Sequence, residues 1–247
     1  MSSHDIRLEL PSGRPVVFFA DVHLGASPRA EQRFAAFMRA VPRDVILVSL
    51  GDLVDYWAEG PGWSLVDAFP VLQAFRGREA WFLKGNRDFL MGAQWEHVTG
   101  GHVLGDSIAL SAWGKEIVCA HGDDLLTGDV RYQFWKRICR TELFRNVSGV
   151  LGKKFALKTA KGLRKGSARE VARKPAESLR IDFVAAGRML KDRDLLLCGH
   201  THRPARRQIA LGEMITLGSW DEDAEIVILD AKGLRFDGAA RLFPGIE

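Results

Sequence analysis

The chain has 247 residues, 47% of them hydrophobic and 27% charged, with a formal net charge of +4. That composition belongs to an ordinary folded protein and excludes disordered, collagen-like and disulfide-scaffold classes, while the length allows one large domain or two small ones. No apolar stretch is long enough to span a bilayer, and the polar start Met1-Ser2-Ser3-His4-Asp5 is not a secretory signal. Cys119, Cys139 and Cys198 lack metal-type spacing, so small buried thiols in a reducing cytosol are expected.

In chain order, Arg7–Leu10 predicts an edge strand closed by Pro11-Ser12-Gly13, and Val16–Ala20 a central strand running into Asp21-Val22-His23. Pro28–Val41 predicts a helix, with Phe34, Phe37, Met38 and Val41 at i, i+3, i+4 and i+7 and Pro42 ending it. Val45–Leu50 follows as a strand that breaks off in Gly51-Asp52-Leu53-Val54-Asp55, so the two strands are expected to be parallel. Trp63–Phe75 predicts a second helix. Trp81–Leu83 predicts a strand that runs into Gly85-Asn86-Arg87-Asp88. Ser107–Leu110 and Ile117–Ala120 flank Trp113-Gly114-Lys115 as a hairpin, whose second strand ends in His121-Gly122-Asp123.

From Val130 to Leu190 the pattern is helical and punctuated by Gly149, Gly152, Gly162 and Gly166, which predicts several helices. Leu195–Cys198 returns to strand and ends in Gly199-His200-Thr201-His202. Gln208–Leu211, Met214–Leu217, Glu225–Leu229 and Leu234–Phe236 then predict short antiparallel strands. A β-α-β start, late strands and a helical insertion predict two packed sheets with helices outside, an α/β fold.

Five apolar runs thus end in Asp, Asn or His, and ligands gather beyond the carboxyl ends of strands in sheets of this kind. Oxygen and imidazole donors with a shared carboxylate suit a pair of divalent cations. Asp21 and His23 can face one ion, Asp52 can bridge, Asn86, His121 and His200 suit the second, and His202 returns to the first. His4, His97 and His102 follow no such run and are read as unrelated. Because these ligands span positions 21 to 202 and must converge, residues 1–247 are expected to form one domain.

The charge is uneven. Between Arg131 and Lys174 fourteen basic residues face only Glu142 and Glu170, a surplus of +12 that leaves −8 for the remainder. Such a segment predicts either an anionic partner (phosphate, nucleic acid or an acidic bilayer) or a solvated helix face.

The five rims together resemble the motif blocks of the calcineurin-like metallophosphoesterases. The resemblance implies a four-layer αββα sandwich of two mixed β-sheets and a centre of two divalent metal ions, often Mn²⁺. Its ligands would be Asp21, His23, Asp52, Asn86, His121, His200 and His202. Many members have His after the Asn as general acid for an alkoxide; here Arg87 stands there. Arg does not give up a proton, but its fork can grip phosphate, which favours cleavage of a pyrophosphate with its stable leaving anion.

The blocks Asp52–Trp57, Gly85–Leu90 and His121–Thr127, with Tyr132-Gln133 beyond, resemble the branch of that family that hydrolyses UDP-2,3-diacylglucosamine in lipid A biosynthesis. That resemblance implies attack of a metal-activated hydroxide on the α-phosphorus, giving UMP and 2,3-diacylglucosamine 1-phosphate. Catalytic roles would fall to Asp52, Asn86, Arg87 and His121, and substrate contacts to Asn86, Arg87, Asp123 and Tyr132. Tyr132 alone is equally readable as a helix-core aromatic. It also implies a helical lid over 125–190, within which Gly166–Asp182 follows the family pattern poorly and supplies no assigned residue.

Tyr132, Trp135, Ile138, Cys139, Leu143, Val147, Val150 and Leu151 recur at helical spacing among the basic residues. They would cover acyl chains, lie in an anionic membrane interface, or pack on the domain. The expected location is cytoplasmic, peripheral to the inner membrane. The expected partner is the glycolipid rather than nucleic acid, with a soluble nucleotide or nucleic acid as the alternative substrate.

Overall fold

The computed structural model describes residues 7–244 and 246, apart from 12, 145, 155–157, 159–179 and 210–211. Strand β1 (Arg7–Glu9) is followed by β2 (Val16–Phe19), helix α1 (Pro28–Ala40), β3 (Ile46–Ser49), the small pair β4 (Glu59–Gly60) and β5 (Trp63–Ser64), and β6 (Ala80–Phe82). Next come α2 (Ala93–Thr99), β7 (His102–Val103), β8 (Ser107–Ala112), β9 (Lys115–Ala120) and α3 (Val130–Cys139). The chain continues with α4 (Phe183–Leu190), β10 (Leu195–Cys198), β11 (Ala205–Ile209), β12 (Gly212–Thr216), β13 (Glu225–Asp230), β14 (Gly233–Gly238) and α5 (Ala239–Leu242).

Two six-stranded mixed sheets carry the fold, in the orders β1-β8-β9-β10-β12-β11 and β14-β13-β2-β3-β6-β7. The runs β9-β10-β12 and β2-β3-β6 are parallel, so in each sheet several strand ends open at the same edge. Every residue of β2, β3 and β10 is buried, which is why these runs show no polar alternation. Val16, Phe18, Ile46 and Val48 face Ile117, Cys119, Leu195 and Leu197 in the core between the sheets. Val17, Phe19 and Leu47 point the other way, onto Phe34, Phe37 and Met38 of α1. Behind the other sheet, Val118, Leu196 and Met214 meet Ala186 and Leu190 of α4. The layers are therefore helix, sheet, sheet, helix, and the three cysteines are buried as free thiols.

Helix α1 begins where expected because Ser27 accepts a hydrogen bond from the Ala30 N–H and Pro28 opens the first turn. The hairpin turns at Trp113 and Gly114, both with positive φ (50° and 72°), as the twist of a tight antiparallel turn requires. The predicted helix Trp63–Phe75 is not formed. Trp63 and Ser64 pair with β4, and 3₁₀ turns follow at Val66–Ala68 and Pro70–Phe75. Pro70 lacks an N–H and forces Phe69 out of the helical region, to φ −136° and ψ 64°. Helix α2 has no counterpart in the sequence reading. The predicted late strands form two antiparallel hairpins, one in each sheet, with β12 also parallel to β10; Leu211 lies outside the described residues. So do Gly162 and the segment 166–179, with Lys161, Arg164, Lys165, Arg169, Arg173 and Lys174. No described helix is long and apolar enough to cross a membrane.

Candidate metal centre

The ends of β2, β3 and β6 in one sheet and of β9 and β10 in the other meet at one rim. Gly51, with φ +102°, lets them close up: a Cβ there would stand 2.6 Å from the Gly85 nitrogen and 2.9 Å from Nδ1 of His121. The neighbouring segments are cross-stitched through the backbone, the Asp21 N–H donating to Gly51 O at 3.1 Å and the Gly199 N–H to His121 O at 2.9 Å.

All seven expected ligands converge here. Nε2 of His23 lies 3.1 Å from Nε2 of His202, 3.8 Å from Oδ1 of Asp21 and 3.9 Å from Oδ2 of Asp52. Nε2 of His121 is 3.6 Å from the same Asp52 oxygen, and Nε2 of His202 is 3.6 Å from Oδ1 of Asp21. Oδ1 of Asn86 sits 3.0 Å from both Nε2 of His121 and Nδ1 of His200, which are 3.1 Å apart. Two donor clusters result, Asp21–His23–His202 and Asp21–Asp52–His121. Asp21 is common to both, and Asp52 reaches from His23 to His121.

These side chains are arranged for cations rather than for one another. Oδ1 of Asp21 and Nδ1 of His23 are buried without a hydrogen-bond partner, a costly state in a finished core. His121 is aimed by its other nitrogen, Nδ1 lying 3.1 Å from Leu50 O, as the second nitrogen of a ligating imidazole usually is. Nitrogen and oxygen donors in such mixture fit divalent transition-type ions.

The electrostatics agree. Burial raises Asp52 to about 6, with the Asp21 charge acting in the same sense. Burial would also raise Asp21, but the imidazoles of His202, His121 and His23 outweigh it and hold it at about 2. Burial depresses His23 to about 4, and burial with the nearby His121 charge depresses His200 to about 3, so both rings are neutral donors at neutral pH. Against its own burial, His121 is shifted upward by four surrounding carboxylates, Asp52, Asp21, Asp123 and Asp88. A buried space with that many carboxylates calls for added positive charge.

The calcineurin-like phosphoesterase family pattern matches residues 14–204, about three-quarters of the chain and every residue just described. The chain is a calcineurin-like phosphoesterase. It is 32% identical to the UDP-2,3-diacylglucosamine hydrolase of Aeromonas salmonicida, covering 86% of this chain and 88% of that one. It is 30% identical to the protein of the same name from Nitrosococcus oceani, covering 92% and 96%. The family makes this phosphoesterase a metal-dependent hydrolase.

Around the phosphoesterase centre three residues act that the sequence reading assigned no role. Asp88 is fully buried and accepts hydrogen bonds from the N–H groups of Gly85 (2.8 Å), Leu53 (2.8 Å) and Asp52 (3.3 Å), locking the Asp52 and Asn86 loops together. Lys136 of α3 is also buried, 2.9 Å from Asp123 and 2.8 Å from Asp124. Arg140 sits 2.7 Å from Asp106 and donates to Gly85 O at 3.2 Å. Apart from the Gly85–Asp88 bond, which spans three residues, the partners lie 12 or more residues away along the chain, so local sequence does not mark these roles.

Asp123 and Tyr132, expected at the substrate, are engaged with each other. The Tyr132 hydroxyl donates to Oδ2 of Asp123 at 2.5 Å while Lys136 takes Oδ1. Burial would raise the Asp123 carboxyl, but Lys136 pulls it well below the usual range. Only the Tyr132 ring remains at the rim, stacked 6.4 Å from the His200 ring. Arg87 is a quarter exposed, its backbone N–H bonded to Oδ1 of Asp52 at 2.8 Å and its guanidinium 3.9 Å from Asp55.

Helix α3 is turned inside out. Tyr132, Gln133, Lys136 and Cys139 face the body, while Val130, Phe134, Trp135 and Ile138 are 70, 64, 51 and 38% exposed. Beyond it, in the helical stretch 146–154, Val147, Val150 and Leu151 are exposed, as is Leu143 before it. Phe144 packs on the core and Gly149 O accepts from the Trp63 indole at 3.0 Å, which docks the insertion.

Proposed function

We propose that this phosphoesterase hydrolyses the pyrophosphate bond of UDP-2,3-diacylglucosamine, giving UMP and 2,3-diacylglucosamine 1-phosphate in lipid A biosynthesis. The observation that carries the reading is a seven-donor centre with a guanidinium, that of Arg87, at its rim, 3.9 Å from Asp55, a group whose planar fork suits phosphate. Relatives at 30–32% identity over most of their length bear the name of that hydrolase.

In this reading Asp21, His23 and His202 would hold one ion, Asn86, His121 and His200 the other, and Asp52 would serve both. Mn²⁺ is the ion proposed. Bound, such a pair lowers the pKa of water and offsets charge on phosphoryl oxygens. The remaining work falls to the chain. The oxygen of water adds to the α-phosphorus, its proton passing to solvent, as the bridging P–O bond breaks and its electron pair leaves with the sugar phosphate. That phosphate departs as a stable anion, so no proton donor is required at Arg87. The guanidinium instead takes two phosphate oxygens and holds the leaving group in line. Asn86 orients His121 and His200 through its amide oxygen. Asp123, with both oxygens occupied, positions the His121 loop, and the Tyr132 ring forms a wall beside the sugar.

The outward apolar face of α3, with Leu143, Val147, Val150 and Leu151, covers the acyl chains and rests in the anionic inner-membrane surface, Arg131 and Arg137 lying among these side chains. Nucleic acid is a poorer partner than the sequence count suggests, because Lys136, Arg140 and Lys153 spend their charge on Asp123, Asp124, Asp106 and Asp67. The test is Mn²⁺-dependent turnover of UDP-2,3-diacylglucosamine beside UDP-glucose, ADP-ribose and DNA. Cleavage of the lipid-bearing substrate above all others is expected; efficient cleavage of a soluble substrate alone would overturn the reading.

A further inference from the structure

Helix α3 and its C-terminal cap, Arg140, reach loops of both sheets at the centre, one helical turn apart. Lys136 holds Asp123, which follows β9 of one sheet; Arg140, four residues on, holds Gly85 O, which follows β6 of the other. The Gly85 carbonyl belongs to the peptide unit that leads directly into Asn86. That short loop is otherwise fixed at its two ends, the Gly85 N–H on Asp88 and the Arg87 N–H on Asp52. The Arg140 guanidinium also faces Asp106 at 2.7 Å and lies 5.6 Å over the Phe89 ring, so it is held on three sides. A group with a single planar fork is needed to make a carbonyl bond, a carboxylate contact and a ring contact together.

We infer that Arg140 is a positioning residue: it sets the Gly85–Asn86 peptide so that the Asn86 amide meets His121 and His200 across the junction of the two sheets. Through Arg140 and Lys136, α3 spans the two halves of the centre on its inner face, while its outer face is the apolar one. The inference rests on the ligand assignment proposed above. Outer partners of metal ligands commonly govern affinity or turnover by about 10–100-fold.

The test compares the full-length wild type, Arg140→Ala, Arg140→Lys and a remote surface control, Lys232→Ala, in three measurements. These are bound Mn²⁺ per chain at limiting metal, kcat and KM on a soluble aryl phosphodiester, and thermal midpoint. Arg140→Ala should bind the second Mn²⁺ about 10–100-fold more weakly and lose kcat in proportion, with KM and the metal-free thermal midpoint near wild type. Millimolar guanidinium should restore part of that kcat, and Arg140→Lys should recover less than the guanidinium-rescued variant. Wild-type metal binding and kcat in Arg140→Ala would overturn the inference, as would losses matched by a fall in the metal-free midpoint. A wild type that binds fewer than two Mn²⁺ would instead overturn the ligand assignment on which it rests.

Discussion

Replacing Lys136 by Met isolates the energetics of the buried pair beneath the centre. Lys136 is 8% exposed and Asp123 1%, so the ammonium and one carboxylate lie outside water at 2.9 Å. Removing one member of a buried pair costs about 3–5 kcal/mol, because the other charge stays behind uncompensated. Tyr132 still donates to Asp123, and Asp124, 42% exposed at its side chain, returns to solvent. These two facts place the expected loss at the lower end, about 3 kcal/mol, or about 6–12 °C in thermal midpoint for a domain of this size. Adding Asp123→Asn removes the stranded charge while leaving Tyr132 an oxygen to donate to, so the double variant should regain more than half of the loss. Urea unfolding with EDTA in every sample keeps metal binding out of the comparison. A single variant within about 0.5 kcal/mol of wild type would refute the buried-pair argument. So would a double variant no more stable than the single one.

Asp52→Ala should abolish turnover and reduce bound Mn²⁺ by plasma emission analysis, since this carboxylate touches both halves of the centre; full occupancy in the variant would exclude it as a ligand. Arg87→Ala should lower kcat on the pyrophosphate substrate by on the order of 10²-fold with metal content unchanged. Metal loss in step with activity would remove its assignment to phosphate. Phe134→Asp with Trp135→Asp should leave the thermal midpoint within about 2 °C, because neither side chain is buried, yet sharply reduce co-sedimentation with anionic vesicles and turnover of the acylated substrate. Unchanged vesicle binding would show that this face meets no lipid.

The strand ends were legible because the chain marks them plainly: an all-apolar run buried on both faces stops at Gly-Asp, Asp-x-His or Gly-His. The two sheets followed from the order of such runs. Helix α2 was not legible because nothing near it announces a start. Gly92 offers no side-chain cap, and Glu59, over thirty residues earlier, accepts instead from the N–H groups of Gln94 and Trp95 at 3.0 Å each. The inner face of α3 was hidden for a related reason. Counted along the chain, Lys136 and Arg140 belong to a basic surplus; in space they are neutralised by Asp123, Asp124 and Asp106, none of which lies in that segment. The count therefore overstated the charge free to attract an anion, while the apolar residues of the same helix, expected in part to pack inward, mostly face outward.

Backbone conformation was the deepest omission. Among the described residues eight that are not glycine have positive φ, and five of them are Asp21, His23, Asp52, His200 and His202. Asp and His tolerate this region better than branched side chains, yet each such residue still costs free energy that its surroundings must supply. The stitching between rims supplies it: Asp21 N–H to Gly51 O, His23 N–H to Asp52 O, Gly199 N–H to His121 O. An extended backbone at Asp21 or His200 would carry the side chain on along its strand, and the two sheets would present their donors in separate rows. The left-handed residues after β2, β3 and β10 swing their donors towards the junction instead. The identity of the candidate ligands is written in the sequence, whereas their aim is a property of two sheets packed face to face with their strand ends at one rim.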